Sequence, residues 1–358
     1  MSSFAGSPLD VEDLRGRVGK SLQDFLSTQV GALDAVSTDL TPMSEAVAGL
    51  LAGGKRLRPA FCYWGWRGAG GDDLEEAITA ATSLEFLQAC ALIHDDVMDG
   101  SDTRRGQPAA HRRFAALHRG NSWLGSSETF GVGAAILLGD LCLAWSNQML
   151  LTSGLPAGSL TRGKATYDAM VVELMAGQYL DLLEQARGGG SVDRALRVVR
   201  YKSAKYTIER PLHLGGELAG ASGELLQAYS DYGLPLGEAF QLRDDVLGVF
   251  GDPAVTGKPA GDDLREGKRT ALVAVAVENA SPAQAHLLRT SLGDPALGSD
   301  GVAALREVLV DTGALARVES MIGDKTEQAY AALASVELAE PAADVLAGLV
   351  QAATARSV

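Results

Sequence analysis

Long stretches with helical periodicity, and the scarcity of strand patterns, constrain the fold of this chain most strongly. The stretch 72–98 begins with acidic residues, which suit a helix N terminus, and continues with Ala, Leu and Ile on more than one face. A helix that is apolar on several faces is buried in a core. The sequence therefore predicts a single all-α domain over 1–358, a bundle of long helices in which 1–40 form an N-terminal helix region with a weaker pattern. The other long stretches are 132–151, 162–186, 191–220, 223–250, 270–279 and 301–334, separated by clusters of Gly, Pro and Ser.

Net charge and cysteine content indicate which partners and which cellular compartment suit this chain. The 31 Lys and Arg residues are outnumbered by 45 Asp and Glu residues, which gives a net charge of −14 and argues against nucleic acid or anionic lipid as a partner. The three cysteines lie in apolar surroundings without metal or disulfide spacing, as expected for the cytoplasm. The first residues show no secretory signal. The most apolar segment, 132–143, contains Asp140 and is shorter than the roughly 20 residues of a membrane span, so we expect no transmembrane segment.

Two acidic motifs end two of the apolar helices. Asp95 and Asp99 are four residues apart and share a helix face, and Asp96 lies about 100° around the axis. The C-terminal end of a helix is already partly negative, so a cation would offset these carboxylates, although one such motif alone is also typical of a solvated helix end. Asp244 and Asp245 follow another long helix. Two such motifs favour facing metal sites, and ligands that are all oxygen suit Mg²⁺.

Cations are grouped in three further segments, 53–59, 102–106 and 257–269. In an acidic chain, such groups indicate anionic ligands held by Arg and Lys, although Arg56 is better explained as neutralising the aspartates. The segment 257–269 is bounded by glycines and rich in charge, which is typical of a lid over a phosphate. The cations in these segments are Lys55, Arg58, Arg104, Arg105, Lys258 and Lys268.

The order of these motifs resembles that of the trans-isoprenyl diphosphate synthases, the polyprenyl synthetase family, and especially its geranylgeranyl diphosphate synthases. The similarity covers about 53–268 and rests on GGKRLRP, HDDVMD, RRG, GQYLD, KSA, FQLRDD and GKPAGDDLREGK in that order. Each motif alone is weak, but several in a fixed order are specific. The resemblance implies helices around a deep apolar cavity, a homodimer, and condensation of isopentenyl diphosphate with allylic diphosphates after Mg²⁺-assisted ionisation.

The resemblance also implies roles for individual residues. Three Mg²⁺ ions are expected with substrate bound, held by Asp95, Asp96, Asp99, Asp244 and Asp245, with Asp181 and Gln178 in or beside the metal shell. The diphosphate of isopentenyl diphosphate is expected to contact Lys55, Arg58, Gln88 and Arg105. The allylic diphosphate is expected to contact Arg104, Lys202, Lys258 and, more weakly, Lys268. The dipoles of Ser203 and Gln241, with backbone carbonyls at a helix kink near Pro211, are expected to stabilise the allylic cation.

Two positions depart from the family pattern. Gly248 stands where many members have a third aspartate in the second acidic motif, and Asp252, four residues further on, is a candidate replacement. Lys202-Ser203 stands where the family usually has Lys-Thr, which keeps a hydroxyl group.

Product length depends on the residues below the first acidic motif, where the growing chain runs toward the helix N terminus. The resemblance implies that bulky aromatic residues four or five positions before the first aspartate stop growth early. Here these positions hold the small residues Ala91 and Cys90, and Leu87 offers a deeper floor. We therefore expect geranylgeranyl diphosphate as the main product, with a longer-chain polyprenyl or a farnesyl diphosphate synthase as alternatives. A class I terpene cyclase is disfavoured, because two sets of diphosphate-binding cations indicate two substrates. A non-catalytic partner subunit is disfavoured because both acidic motifs are intact.

Overall fold

The structure, a computed structural model, describes residues 7–188, 190–252 and 261–354, and these residues are helical almost throughout. The predicted all-α fold is confirmed. The helices are α1 (Leu14–Asp34), α2 (Thr41–Leu51), α3 (Leu57–Gly68), α4 (Glu75–Asp99), α5 (Ala110–Gly120), α6 (Ser127–Leu151), α7 (Ala157–Arg187), α8 (Val192–Val198), a π-helix (Val199–Glu209), α9 (Arg210–Ala219), α10 (Gly223–Phe250), α11 (Asp262–Arg265), α12 (Ala271–Asn279), α13 (Pro282–Ser291), α14 (Ser299–Asp311), α15 (Ala314–Ala334) and α16 (Ala342–Thr354), with short 3₁₀ turns at Pro8–Asp13 and Thr38–Leu40.

Helix α4 lies at the centre of the bundle because it is apolar on most of its faces. It packs against α1, α3 and α6, and most of its residues before Asp95 are buried. A second apolar cluster forms where α10 packs on α12 and α15. The N-terminal region supplies α1, which lies against α4. The C-terminal ends of α4 and α10 both line a common cavity.

Two of the predicted helical stretches are divided in the structure. The stretch 191–220 is helical throughout, but its middle part, Val199–Glu209, is a π-helix that ends just before Pro211. A π-helix is rare and commonly marks a functional site. The stretch 301–334 is two helices, because Gly313 has φ +75°, a left-handed conformation that glycine adopts without strain.

The described residues form a single pair of strands, which the sequence did not predict. Strands β1 (Thr103–Arg104) and β2 (Gln107–Pro108) pair antiparallel directly after α4. Arg105 and Gly106 at the turn have φ +53° and +73°. The hairpin turns Arg104 back toward the end of α4 and lets Arg105 face the loop between α2 and α3.

The apolar segment around Val132 is longer than the sequence suggested. By length and composition alone, α4 and α6 are each long and apolar enough to cross a bilayer. In the most apolar part of each helix, 72% of α4 is buried inside the protein but only 39% of α6. Core helices pass the same test, so this observation alone does not indicate a membrane protein. It does leave an apolar face of α6 uncovered.

Candidate active site

A cavity of about 1000 Å³ lies between α3, α4, α7, the π-helix and α10. Its wall carries both charged and apolar side chains. The structure brings most of the predicted site residues to this one wall: Lys55, Arg58, Gln88, Ala91, Asp95, Arg104, Arg105, Gln178, Asp181, Lys202, Ser203, Gln241, Asp244, Asp245 and Lys268. Lys258 lies outside the described residues, so its predicted contact with the allylic diphosphate stays a prediction.

Asp95 is the most closely surrounded carboxylate of the first motif. Its Oδ1 accepts hydrogen bonds from Lys202 Nζ at 3.0 Å and from Gln178 Nε2 at 2.9 Å, and Lys202 also donates to Asp181 Oδ2 at 2.6 Å. Burial disfavours the ionised carboxylate, but Lys202, Lys268 and Arg104 outweigh it and hold the pKa of Asp95 below its usual value. Residues from α4, α7 and the π-helix therefore meet at one ionised carboxylate.

Asp96 faces away from the described cavity wall. It is 2% exposed and accepts a hydrogen bond from Arg104 Nε at 2.9 Å. Burial raises the pKa of Asp96, and Arg104 partly offsets that effect. The carboxylate of Asp96 thus pairs with Arg104, and its predicted contribution to the metal site stays a prediction.

Asp99 is a buried carboxylate without a hydrogen-bond donor among the described residues. Its side chain is 3% exposed, neither oxygen accepts a hydrogen bond, and Lys268 Nζ lies 3.9 Å from Oδ2. Burial, together with the charge of Asp95, raises the pKa of Asp99 to about 6. A buried carboxylate of this kind needs a cation to compensate its lost hydration.

The second motif presents its carboxylates to the same cavity from α10. Gln241 Nε2 donates to Asp245 Oδ1 at 2.8 Å, so the amide predicted to face an allylic cation is held by the acidic motif. Burial raises the pKa of Asp245 to about 8; Gln241 opposes this shift, and the neighbouring charges of Asp263 and Asp244 add to it. A bound cation would offset the repulsion between these carboxylates.

Sequence reasoning missed Asp263, which lies on the cavity wall beside Gly248. Asp252, suggested as the replacement for the missing aspartate, is exposed and is not part of the described wall, so that suggestion stays a prediction. The only sequence signal for Asp263 was the acidic pair inside the glycine-bounded segment, and nothing in that pattern links it to Gly248.

One of the cations predicted to bind isopentenyl diphosphate, Arg58, contacts the π-helix. Arg58 Nη2 donates to Thr207 Oγ1 at 2.9 Å, and its guanidinium lies 4.2 Å from the ring centroid of Tyr206. The Tyr206 hydroxyl donates to Gln88 Oε1 at 2.8 Å, which leaves the Gln88 amide group as a donor. The motifs did not predict a role for Tyr206 or Thr207, which become neighbours of Arg58 only in the folded chain.

Arg105 and Arg56 have different surroundings. Arg105 Nη1 donates to the carbonyls of Leu50 at 2.8 Å and Gly53 at 2.6 Å, and its side chain lines the cavity. Arg56 instead pairs with Glu85, whose side chain is 5% exposed. Arg56 is thus a neutralising residue as expected, but its partner is a buried glutamate and not an aspartate of the metal motifs.

The three residues predicted to set chain length are not equivalent. Ala91 lines the cavity one turn below Asp95, whereas Cys90 and Leu87 are fully buried in the apolar core and do not belong to the described wall. Opposite Ala91, α7 contributes Leu174, one turn before the Gln178 that contacts Asp95. Because α4 directs both side chains into the core, the predicted roles of Cys90, as a small residue beside the growing chain, and of Leu87, as a deeper floor, stay predictions.

The donor set fits Mg²⁺ better than a transition metal. The acidic side chains at the cavity offer only oxygen, which suits a hard cation. Among the described residues, no three metal-binding side chains converge closely enough to enclose an ion by themselves. Mg²⁺ is commonly held by one or two carboxylates while phosphate oxygens and waters complete its shell, so this open arrangement suits Mg²⁺ bound together with a diphosphate.

Comparisons with known proteins agree with this geometry. The sequence matches the family described as polyprenyl synthetase over residues 41–309. The chain belongs to the polyprenyl synthetase family. A crystal structure of geranylgeranyl pyrophosphate synthase from Corynebacterium glutamicum, complexed with isoprenyl diphosphate and magnesium, is similar to this polyprenyl synthetase with a TM-score of 0.93 and 42% sequence identity, covering 96% of this chain and 99% of that chain.

Two curated relatives carry different product names. Geranylfarnesyl diphosphate synthase from Aeropyrum pernix is 34% identical over 319 residues, which are 88% of this chain and 91% of that protein. Octaprenyl diphosphate synthase from Escherichia coli is 29% identical over 312 residues, which are 87% of this chain and 89% of that protein. This polyprenyl synthetase is therefore a trans-prenyltransferase, and the product length must be argued from its own cavity.

Proposed function

We propose that this polyprenyl synthetase condenses isopentenyl diphosphate with allylic diphosphates, with geranylgeranyl diphosphate as its main product. The observation that carries the proposal is one cavity lined by carboxylates of both acidic motifs, in which Lys202 and Arg104 contact the first motif, whereas Arg58 and Arg105 contact other groups. Two separate groups of cations suit two diphosphates, whereas a cyclase acts on one. Both groups of cations would then belong to one domain, 1–358.

Mg²⁺ is the metal ion that this site suits. Asp95 and Asp99 would hold it on one side and Asp244 and Asp245 on the other, with Asp181 beside Asp95; three ions would be needed to bind both motifs to a substrate diphosphate. When bound, Mg²⁺ supplies positive charge that stabilises the diphosphate leaving group.

The residues of the chain act on the allylic substrate by charge and position. Lys202 and Arg104 donate hydrogen bonds to the departing diphosphate, where negative charge grows as the carbon–oxygen bond breaks. Lys268, between the two acidic motifs, adds positive charge there, and Lys258 is expected to do the same. Ser203 and the carbonyls of the π-helix turn their negative ends toward the allylic cation without attacking it.

The second substrate lies on the other side of the cavity. Lys55, Arg58, Arg105 and the amide of Gln88 hold its diphosphate, so that its double bond adds to the allylic cation. A proton then leaves, and the departing diphosphate is the acceptor, since the described wall contains no side chain placed as a dedicated base. Exclusion of water protects the cation during these steps.

Product length follows from the apolar part of the cavity. Small Ala91 leaves room below Asp95 for a chain longer than farnesyl, and Leu174 on the opposite wall narrows the space at the same level. These two side chains support geranylgeranyl diphosphate as the main product.

The uncovered face of α6 supports a homodimer, and the three free cysteines support the cytoplasm as its compartment. Phe130, Ile136 and Leu137 on α6 are exposed, and Val172 and Tyr179 extend the apolar surface along α7. Asp140 on α6 has an exposed carboxyl group, which would be costly in a bilayer and is tolerated at a protein interface. The exposed apolar face of α6 is therefore better suited to contact with a second copy of this chain than to contact with lipid.

The reaction is tested by incubating purified protein with isopentenyl diphosphate, an allylic primer and Mg²⁺, and by sizing the product. We expect chain elongation to geranylgeranyl diphosphate, its complete loss in excess chelator, and its return when Mg²⁺ is restored. Asp95→Ala should lower turnover by orders of magnitude while the helical circular dichroism spectrum is retained. Full activity in excess chelator, or cyclised products without elongation, would contradict the proposal.

A further inference from the structure

The backbone of the π-helix lies very close to two neighbouring helices. A Cβ atom built on Gly177 of α7 would lie 2.4 Å from the backbone nitrogen of Lys202 and 2.7 Å from its Cα. A Cβ atom built on Gly237 of α10 would lie 2.6 Å from the Cα of Ala204. These distances are far below van der Waals contact, which begins at about 3.5 Å. Glycine, which has no Cβ, permits both approaches.

The two contacts lie on opposite sides of the π-helix. Lys202 and Ala204 are two residues apart, and residues two apart in a helix point to roughly opposite sides of its axis. Ser203, which lies between them, lines the cavity. The π-helix is therefore held between α7 and α10 at the point where it presents Lys202 and Ser203 to the cavity.

The atoms that a Cβ at either position would meet belong to the backbone, which cannot rotate aside as a flexible side chain can. Glycine inside a helix costs about 0.5 to 1 kcal/mol relative to alanine, so both positions need a local reason. On α10 the same close packing continues one turn earlier, where a Cβ atom on Gly233 would lie 3.0 Å from the Cα of Glu209, the last residue of the π-helix. The reason is thus the close approach of the π-helix.

This approach determines how far the side chain of Lys202 can reach. Its Nζ donates to Asp95 of α4 at 3.0 Å and to Asp181 of α7 at 2.6 Å. Asp181 is one turn after Gly177, so the backbone and the ammonium group of Lys202 contact the same face of α7. A methyl group at position 177 would force the two backbones apart by about 1 Å. Hydrogen bonds weaken over such a distance, so both contacts of the ammonium group would suffer.

We propose that Gly177 and Gly237 are positioning residues, which fix the π-helix between α7 and α10 and thereby place the ammonium group of Lys202 at the allylic diphosphate. This inference rests on the proposed function, because it depends on the role that Lys202 has there. Neither glycine is part of the described cavity wall, so each acts through the backbone of the π-helix.

An alternative role for the two glycines is to allow tight packing and nothing more. The two roles differ in a double-mutant cycle with Lys202→Ala. If Gly177 acts through Lys202, its replacement adds little once the lysine side chain is gone, whereas independent effects on stability and on catalysis would add.

The test uses Gly177→Ala, alone and combined with Lys202→Ala, and Gly237→Ala as a second variant that displaces the π-helix from the other side. Steady-state kinetics are measured with each substrate varied, and the melting temperature is measured without metal. Gly131→Ala is the matched control. A Cβ atom on Gly131 of α6 would lie 2.3 Å from the carbonyl oxygen of His111 on α5, and neither helix lines the described cavity.

We expect Gly177→Ala and Gly237→Ala each to lower kcat/KM for the allylic substrate roughly ten- to a hundredfold, with the KM for isopentenyl diphosphate unchanged. In the Lys202→Ala background, Gly177→Ala should add little further loss. Gly131→Ala should lower the melting temperature and keep wild-type kinetics.

Three results would overturn the inference and leave the proposed function intact. They are wild-type kinetics in Gly177→Ala, a full additional loss when it is combined with Lys202→Ala, and failure of both Gly177→Ala and Gly237→Ala to fold, which would assign the two positions to stability alone. A wild-type protein that elongates no allylic diphosphate would instead contradict the function itself, and this inference with it.

Discussion

Ala91→Phe tests the direction in which the product grows. Ala91 lies four residues before Asp95, about 6 Å down the axis of α4, and lines the cavity. One helical turn is about 5.4 Å, close to the length of one extended isoprene unit. A phenyl ring at this level removes the space for about one unit, so the main product should shorten from geranylgeranyl to farnesyl diphosphate.

The matched control is Cys90→Phe, which adds a similar ring one residue earlier. Cys90 is fully buried in the core, so the added ring should overpack it and cost about 1 to 3 kcal/mol of stability without entering the cavity. Product sizing by chromatography and a thermal melt separate the two effects. An unchanged product in Ala91→Phe, or a shorter product in Cys90→Phe alone, would refute the path of the chain along this face of α4.

Two further predictions concern binding and stability. Arg58→Ala should mainly raise the KM for isopentenyl diphosphate and Lys202→Ala should mainly impair use of the allylic substrate, because Lys202 contacts the carboxylates of Asp95 and Asp181 whereas Arg58 contacts Thr207. Steady-state kinetics with each substrate varied check this, and equal effects of both variants on both substrates would argue against two pockets. Glu85→Gln should destabilise the protein by about 1 to 3 kcal/mol, because it removes the carboxylate that matches the charge of Arg56 and leaves only the hydrogen bond from Arg56 to the Leu51 carbonyl. A chemical denaturation curve matching the wild type would show that the pair contributes little.

The sequence by itself determined the features that depend on local spacing. Helical periodicity predicted the all-α class, because long helices that are apolar on several faces bury those faces by packing against one another. The spacing of Asp95 and Asp99, and the repeat of an acidic pair at Asp244, indicated a magnesium site because residues four apart share a helix face. The order of the motifs was specific enough to predict the family.

Only the tertiary structure decided which of these residues meet. The Asp96 side chain contacts Arg104, and the Cys90 side chain is buried in the core. Helix α4 packs against other elements on several sides, and the sequence does not reveal which element covers each of its residues. Asp263 reaches Gly248 because α11 folds back on α10. Such contacts depend on how helices far apart in the chain pack against each other, and the spacing along a single helix carries no information about that packing.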